Sequence, residues 1–489
     1  MRNAQAALID DAFSCTLEDI QARIDVSVAS GQINGHGAPF APCPSAVNNK
    51  PMSLGAIGVA YSGGLDSSVL LRVARNYAAK HSIGLYAFHI HHGISPNADI
   101  WLEHCRAECL SSGIIFDSCH VNMAEKNKGG TEEVARNKRY AALGDLCRMH
   151  NVSLLLTAHH QDDQAETVLL QLLRGTGVAG LSGMDAANVA PDLLGDADLL
   201  MARPLLTVTR EALVCYAVSE GIAYIDDESN ADTRYARNSL RHKVMPSLAE
   251  CFPGFQERFA RTAQHAQSAQ RLLIELAKQD MGQCQDGECL DVTQLRLLSE
   301  DRSYNLLRYW FGLRGIRMAS TSWLSEMRTQ LLEARPDAQL CVTHADCHIR
   351  RYRDRIFITP KLDGAVFGLP PQLFRWNGEA TMAFPHFGGI MHFEEVEQGV
   401  DVEWLRVQVL SMHLRVGGER LKLAQNRPTK SLKYHYQTFK VPPWERERLP
   451  IIGTVAGKIL FAAGIGMDCH SFSDGPGLRV GFRWQSVHK

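Results

Sequence analysis

Ala56-Ile57-Gly58-Val59-Ala60-Tyr61 runs directly into Ser62-Gly63-Gly64-Leu65-Asp66-Ser67-Ser68 and then Val69-Leu70-Leu71. An unbroken apolar run, a small-residue turn and a second apolar stretch predict a buried strand, a tight loop and the start of a helix. Glycines in such a loop admit positive φ and let the backbone approach a ligand closely, while the free N–H groups and positive end of the helix favour an anion. The hydroxyls of Ser62, Ser67 and Ser68 add donors, and Asp66 suits the magnesium ion that accompanies a triphosphate. No Lys-Ser or Lys-Thr pair follows the glycines, so this is not a Walker A loop, which sends a lysine to the terminal phosphates. Ser62, Gly63, Gly64, Leu65, Asp66, Ser67 and Ser68 are therefore candidate nucleotide-binding residues of another phosphate chemistry.

A chain of 489 residues exceeds one hydrophobic core and predicts two to four domains. Hydrophobic content of 45% and charged content of 21% fit a globular chain rather than a disordered one. Leu154-Leu155-Leu156 and Ile459-Leu460-Phe461-Ala462-Ala463 are too short to cross a bilayer, and no apolar signal segment opens the chain. No membrane partner is expected, and the cytoplasm is the expected compartment. Thirteen cysteines occur without a Cys-x-x-Cys, which disfavours structural zinc and a redox dithiol and fits small core residues in a reducing compartment. The net charge of −2 conceals an asymmetry: from Asp401 onward 14 Lys and Arg face 7 Asp and Glu, a local +7 that leaves −9 for the rest. The C-terminal part thus suits a polyanion.

Along the chain, residues 1–50 read as a flexible N-terminal extension with a short helix near Leu17 to Val28. From 51 to 250, short apolar runs alternate with amphipathic stretches, the pattern of βαβ units and a parallel sheet, and this is the catalytic domain candidate. One predicted strand ends at His91-His92-Gly93 and another near His159-His160, and ligands gather at such carboxyl ends. In 251–365 apolar residues such as Phe259, Ala263, Ala266, Leu272, Leu273 and Leu276 recur at helical spacing, predicting a helical middle domain. In 366–489 Gly and Pro become frequent and apolar runs shorten, predicting a small α+β or β-rich terminal domain.

The strand, glycine loop and helix resemble the pyrophosphate loop of the N-type ATP pyrophosphatases, an α/β fold of the adenine-nucleotide α-hydrolase kind. Its members cleave ATP between the α and β phosphates and adenylate a carbonyl oxygen. A second constellation is Thr157-Ala158-His159-His160-Gln161-Asp162-Asp163-Gln164-Ala165-Glu166-Thr167. Asp163 and Glu166 are three apart and Asp162 and Glu166 four apart, so a helix gathers them on one face. Acids in a first turn also cap free N–H groups, but three beside a phosphate loop exceed that need. Three further uses suit them: binding a cationic substrate, orienting an amine, or holding magnesium. His91 and His92 read either as strand-end polar residues or as nucleotide contacts, and Arg136, with Lys138, Arg139 and Tyr140, either as a solvated basic face or as a charge that stabilises departing pyrophosphate.

Tyr224-Ile225-Asp226-Asp227-Glu228-Ser229-Asn230-Ala231-Asp232 followed by Arg237-Asn238-Ser239-Leu240-Arg241 narrows the resemblance. With the strings above, it closely resembles the tRNA(Ile)-lysidine synthases, over roughly Leu54 to the C-terminus. Arg415-Val416-Gly417-Gly418-Glu419-Arg420-Leu421-Lys422 and Phe439-Lys440-Val441-Pro442-Pro443-Trp444-Glu445-Arg446 are similar to that family's C-terminal module. Between Arg415 and Arg448, 9 Lys and Arg face 3 acids, interleaved with Tyr434, His435, Tyr436, Phe439 and Trp444. Cations engage phosphates and aromatic faces stack on unpaired bases, although the aromatics also suit a core.

The resemblance implies a C–N ligase using ATP and Mg2+. Its partners are free L-lysine and a tRNA(Ile) with a CAU anticodon, whose wobble cytidine becomes lysidine and whose reading changes from AUG to AUA. It also implies Asp66 as catalytic metal ligand and Asp163 and Glu166 as catalytic residues that recognise lysine. By matching positions it implies Asn230, Arg237 and Arg241 as support around the site; Arg136 is a further candidate substrate contact from its motif context, and Arg415, Arg420, Lys422 and Lys440 are expected to hold RNA. A tRNA thiolase is the nearest rival, but Cys105, Cys109, Cys119 and Cys147 lack the spacing of a nucleophilic pair. A small-molecule amide synthetase would lack the basic tail.

Overall fold

The computed structural model describes residues 2–29, 55–93, 95–121, 131–226, 236–335, 340–361, 369–473 and 475–486. The chain forms two compact units, Met1–Gln279 and Asp280–Lys489. The first begins with helix α1 (Arg2–Ala29), followed by β1 (Ala56–Ala60), α2 (Leu65–His81), β2 (Gly84–His91), α3 (Ala98–Ser112) and β3 (Ile115–His120). It continues through α4 (Thr131–Met149), β4 (Leu154–Leu156), α5 (Gln161–Leu173), α6 (Val178–Leu181), β5 (Ala187–Val189), α7 (Pro191–Leu194), β6 (Leu200–Ala202) and α8 (Arg210–Glu220). After α9 (Ala236–Ser239) comes a π-helical turn (Leu240–Val244), then α10 (Met245–Cys251) and the long α11 (Phe255–Cys284).

These strands make one sheet of order β3-β2-β1-β4-β6-β5, parallel except for β5, which runs antiparallel to β6. Central β1 is covered on both faces, which is why Ile57-Gly58-Val59 shows no polar alternation. Gly58 is required by packing: a Cβ there would lie 2.7 Å from Cε2 of Phe88 on β2. From β1 the chain moves outward through β2 and β3, then returns to place β4 and β6 on the other side. The order therefore reverses between β1 and β4, and a ligand crevice forms at the carboxyl ends of strands at such a point.

Residues 2–29 do not fit the expected loose extension. Ile9, Phe13, Leu17 and Ile20, at spacings of four, four and three, are buried in the core shared with α2 and α8, beside Leu213, Tyr216 and Ala217. The Phe13 ring lies 5.4 Å from that of Tyr77. Phe13→Ala is expected to destabilise the first unit by about 3–5 kcal/mol, the usual cost of emptying a buried aromatic site. Urea unfolding checks this, and a loss below about 1 kcal/mol would mean that α1 is not part of the core.

In the second unit, helices Val292–Leu297, Glu300–Leu313 and Thr321–Glu333 pack with a five-stranded sheet of Gln285–Asp286, Cys289–Asp291, Leu340–Thr343, Cys347–Tyr352 and Arg355–Pro360. The helical spacing of this region had not announced that sheet. Arg351, 1% exposed, explains one junction: its Nη1 donates to the carbonyls of Leu331 and Ala334 at 2.7 and 2.8 Å, closing the end of helix Thr321–Glu333. The remaining part is β-rich as expected, with a five-stranded and a three-stranded sheet enclosing Trp376, Phe384, Phe393, Leu410 and Phe482. Among the described residues no helix is long and apolar enough to cross a membrane.

Candidate active site

The loop after β1 is held from both sides. Tyr61 N–H donates to Phe88 O at 2.8 Å, and Ile225 N–H donates to Gly63 O at 2.9 Å. Gly63 has φ of +82°, and a Cβ there would meet Cys105 Sγ at 2.8 Å, so only glycine fits. Ser67 Oγ donates to Gly64 O at 2.9 Å and lies 3.0 Å from Ser62 Oγ, so the hydroxyls brace the turn from within. Asp66, in the first turn of α2, has a buried Oδ1 that meets no hydrogen-bond donor. An unpartnered carboxylate oxygen beside an anion cradle fits a magnesium ion, which takes one or two carboxylates and completes its shell with phosphate and water oxygens. Among the described residues no group of three or more His, Cys, Asp or Glu that could hold a metal ion occurs.

The acids of α5 stand beside this loop, joined to it by His160. That side chain is 1% exposed; its Nε2 lies 3.6 Å from Asp66 Oδ2 and 3.3 Å from Asp163 Oδ2. Burial alone would lower the pKa of His160, but the nearby carboxylates of Asp66, Asp163 and Asp162 outweigh it and raise the value. His160 stood in the sequence only as part of a strand end and was not a named site residue; it is the N-cap of α5, four residues after β4 ends, and its bridging role was not foreseen.

The three carboxylates of α5 divide their work. Asp162 accepts from Arg210 N–H at 2.9 Å and Gln256 Nε2 at 3.3 Å, tying α5 to the start of α8 and to α11. Asp163 accepts from His160 N–H at 3.1 Å, so it does cap its helix, yet its Oδ1 also receives Arg237 Nη2 at 2.8 Å and Arg241 Nη2 at 3.1 Å. Glu166 takes Arg237 Nε at 2.7 Å and Arg241 Nε at 2.6 Å. Arg237 and Arg241 are thus bonded to both acids. Burial pushes the Asp163 pKa up, but the charges of His160 and Arg237 win and hold the carboxyl at about 2, below its ordinary 3.8.

A depressed carboxyl adds stability above its unfolded pKa and loses it as pH falls through the folded value. Asp163 should therefore contribute roughly 2 kcal/mol, at about 1.4 kcal/mol per pK unit, fully above pH 4 and almost nothing near pH 2. Urea unfolding of wild type and Asp163→Asn between pH 2 and 6 tests this: the gap should close toward the acid end, and a constant gap would refute the ion-pair account.

The other candidates are more scattered. His91 Nε2 bonds Asp99 Oδ1 at 3.1 Å, its ring 4.3 Å from that of His120; His92 is half-buried at the same strand end. Arg136 lies on the exposed side of α4, its guanidinium 5.5 Å from the Tyr140 ring centroid. Asn230 lies outside the described residues. In the second unit, Arg415 lies 3.6 Å from Glu419, which accepts from the Val416 and Gly417 N–H groups. Arg420 donates to Thr429 O at 3.1 Å, the Lys422 backbone bonds Asp468 Oδ1 at 3.3 Å, and Lys440 is exposed with φ of +58°. The aromatics divide. His435 and Tyr436 are core, Trp444 packs on Phe357 at 5.3 Å, and Tyr434 and Phe439 are half-exposed, with Lys430 Nζ 5.4 Å from the Tyr434 ring.

Comparison with known proteins decides the family. A PP-loop domain matches residues 44–248, a TilS substrate binding domain 290–357, and a TilS substrate C-terminal domain 410–484. The tRNA(Ile)-lysidine synthase of Burkholderia pseudomallei is 39% identical over 462 residues, covering 88% of this chain and 93% of the relative. That of Ralstonia nicotianae is 37% identical over 434 residues, covering 87% and 92%. The chain belongs to the tRNA(Ile)-lysidine synthase family. As a member of that family it is an ATP-dependent ligase. The family's PP-loop domain spans the Ser62–Ser68 loop, α5 and both arginines, and its C-terminal domain spans Arg415 to Lys440.

Proposed function

We propose that this protein ligates free L-lysine to C2 of the wobble cytidine of a tRNA(Ile) with a CAU anticodon, giving lysidine, in a crevice floored by Ser62–Ser68 and rimmed by Asp163 and Glu166. The C2 carbonyl oxygen attacks the α-phosphorus of ATP, and the bond from that phosphorus to the β-phosphate oxygen breaks. The Ser62–Ser68 turn, braced by Gly64 N–H on Ser62 Oγ and by the Ser67 and Ser68 hydroxyls on Gly64 O and Gly63 O, cradles the pyrophosphate that leaves, with Gly63 N–H turned to it. Asp66 would hold the magnesium ion, which would supply neutralisation of phosphate charge. Asp163 and Glu166 bind the ε-ammonium of lysine; once that ammonium has passed a proton to solvent water, the amine forms the C2–N bond while the C2–O bond breaks and AMP departs.

A protonated amine is no nucleophile at neutral pH, so the acids must bind a cation and assist its deprotonation. In the second unit, Arg415, Arg420, Lys422 and Lys440 supply phosphate contacts, and Tyr434 and Phe439 supply outward aromatic faces for unpaired bases.

The observation that supports this reading most is the His160 bridge, which keeps a metal-type carboxylate of the loop and an amine-type carboxylate of α5 in one network. The test incubates the full chain with magnesium, ATP, radiolabelled lysine and CAU-anticodon tRNA(Ile), then digests the RNA. Stable label at the wobble nucleoside is expected. Equal label on unrelated tRNAs, or none from a folded protein, overturns the reading.

A further inference from the structure

Arg237 and Arg241 stand where an incoming amine must go. All four oxygens of the acid pair are already taken. Asp163 Oδ1 holds both guanidiniums and its Oδ2 the His160 N–H; Glu166 Oε1 holds Arg241 Nε, and Oε2 holds Arg237 Nε and, at 3.1 Å, Arg241 Nη2. At Asp163 and Glu166 themselves two negative charges already meet two guanidiniums, so a third cation at this pair would find no free carboxylate oxygen there and would feel the repulsion of both arginines; the open Oδ1 of Asp66 lies on the loop side of His160. Access is closed as well: the Glu166 side chain is 2% exposed, whereas Arg237 and Arg241 are 25% and 31% exposed and form the layer that solvent reaches first.

We propose that Arg241, with Arg237 beside it, is a resident stand-in for the substrate ammonium, and that lysine binds by displacing the Arg241 guanidinium from Glu166 rather than by adding to the pair. This rests on the reading of Asp163 and Glu166 as the amine site. Arg241 is the member that leaves, being the more exposed and carried on the π-helical turn Leu240–Val244, whose i→i+5 bonding is wider and weaker than that of the α-helix bearing Arg237. Displacement exchanges one cation for another at constant charge, so the acids are never buried unpaired, the state that costs most. The resting protein consequently has a low affinity for free lysine, and whatever draws Arg241 outward raises that affinity.

Equilibrium dialysis of radiolabelled L-lysine against the full chain, without nucleotide or RNA, tests the exchange. Arg241→Met is expected to bind lysine at least tenfold more tightly than wild type, and Glu166→Gln in the Arg241→Met background to abolish the gain. Arg241→Gln, which keeps a donor for Glu166, carries the same expectation should the methionine variant fail to fold. A folded Arg241 variant with wild-type or weaker affinity overturns the displacement, and if Glu166→Gln alone still weakens lysine binding, the amine site itself survives. If Glu166→Gln changes lysine affinity in neither background, the acids are not the amine site and both readings fall.

Discussion

Asp66→Asn is expected to cut lysine incorporation into tRNA by about a thousandfold or more, while moving the thermal midpoint by only a few degrees. The asymmetry follows from how Asp66 is used. Its Oδ1 is buried without a donor, and its Oδ2 has only the 3.6 Å approach of His160 Nε2, which keeps Asp163 as a nearer partner when Asp66 is changed. Little folding energy is therefore invested in this carboxylate. A cation on a transferring phosphoryl group, in contrast, stabilises developing charge by several kcal/mol, and each 1.4 kcal/mol or so is a factor of ten in rate. Steady-state incorporation beside a melting curve checks both halves, and tRNA-dependent ATP–pyrophosphate exchange should fall by the same factor. Activity within tenfold of wild type would remove Asp66 from the metal site.

Glu166→Gln should act on the amino acid rather than on the nucleotide. We expect the KM for lysine to rise on the order of a hundredfold, because losing a charge-assisted partner in a buried pair costs about 2–5 kcal/mol. The KM for ATP should change by less than about threefold, since Glu166 bonds Arg237 and Arg241 and makes no bond to the Ser62–Ser68 loop. Titrating each substrate at saturation of the other separates these effects. Equal rises in both constants would indicate general distortion of the site rather than loss of an amine contact.

The parts of this site that could be read from the chain are those encoded at short range. The β1–loop–α2 segment is contiguous, and the acids of α5 lie three and four residues apart, so strand, turn and helix periodicities announce them directly. What was not legible depends on distant partners. Asp162 looks equivalent to Asp163 until Arg210, 48 residues on, is seen to claim it. The guanidiniums that cover Asp163 and Glu166 come from 71 to 78 residues away; the family resemblance brought Arg237 and Arg241 into view without saying that they would bond the acids. Helix α1 was legible in principle, since Ile9, Phe13, Leu17 and Ile20 form a stripe, but neighbouring Ser, Asp and Glu diluted it, and the Gly- and Ser-rich residues after 30 suggested a loose terminus. The sheet between residues 285 and 360 was obscured by Arg350, Arg351 and Arg355, which lower the hydrophobicity of strands in which alternate positions of Cys347–Tyr352, and Ile356 of the next strand, are nonetheless buried.

Because β1 and β4 are hydrogen-bonded neighbours, with Ile57 opposite Leu154 and Val59 opposite Leu156, the nucleotide loop and the acidic helix are launched from adjacent rungs of a single ladder. Their separation is then fixed by the lateral repeat of a β-sheet, about 4.8 Å, and not by the lengths of the segments that connect them in sequence. Insertions or deletions in those intervening loops leave that gauge untouched. Sliding β4 by one position does not: it shifts α5 by roughly 3.3 Å and turns every side chain of the strand to the opposite face. Tolerance to evolutionary change should thus be generous in the connections and nearly nil in the pairing of these two short strands.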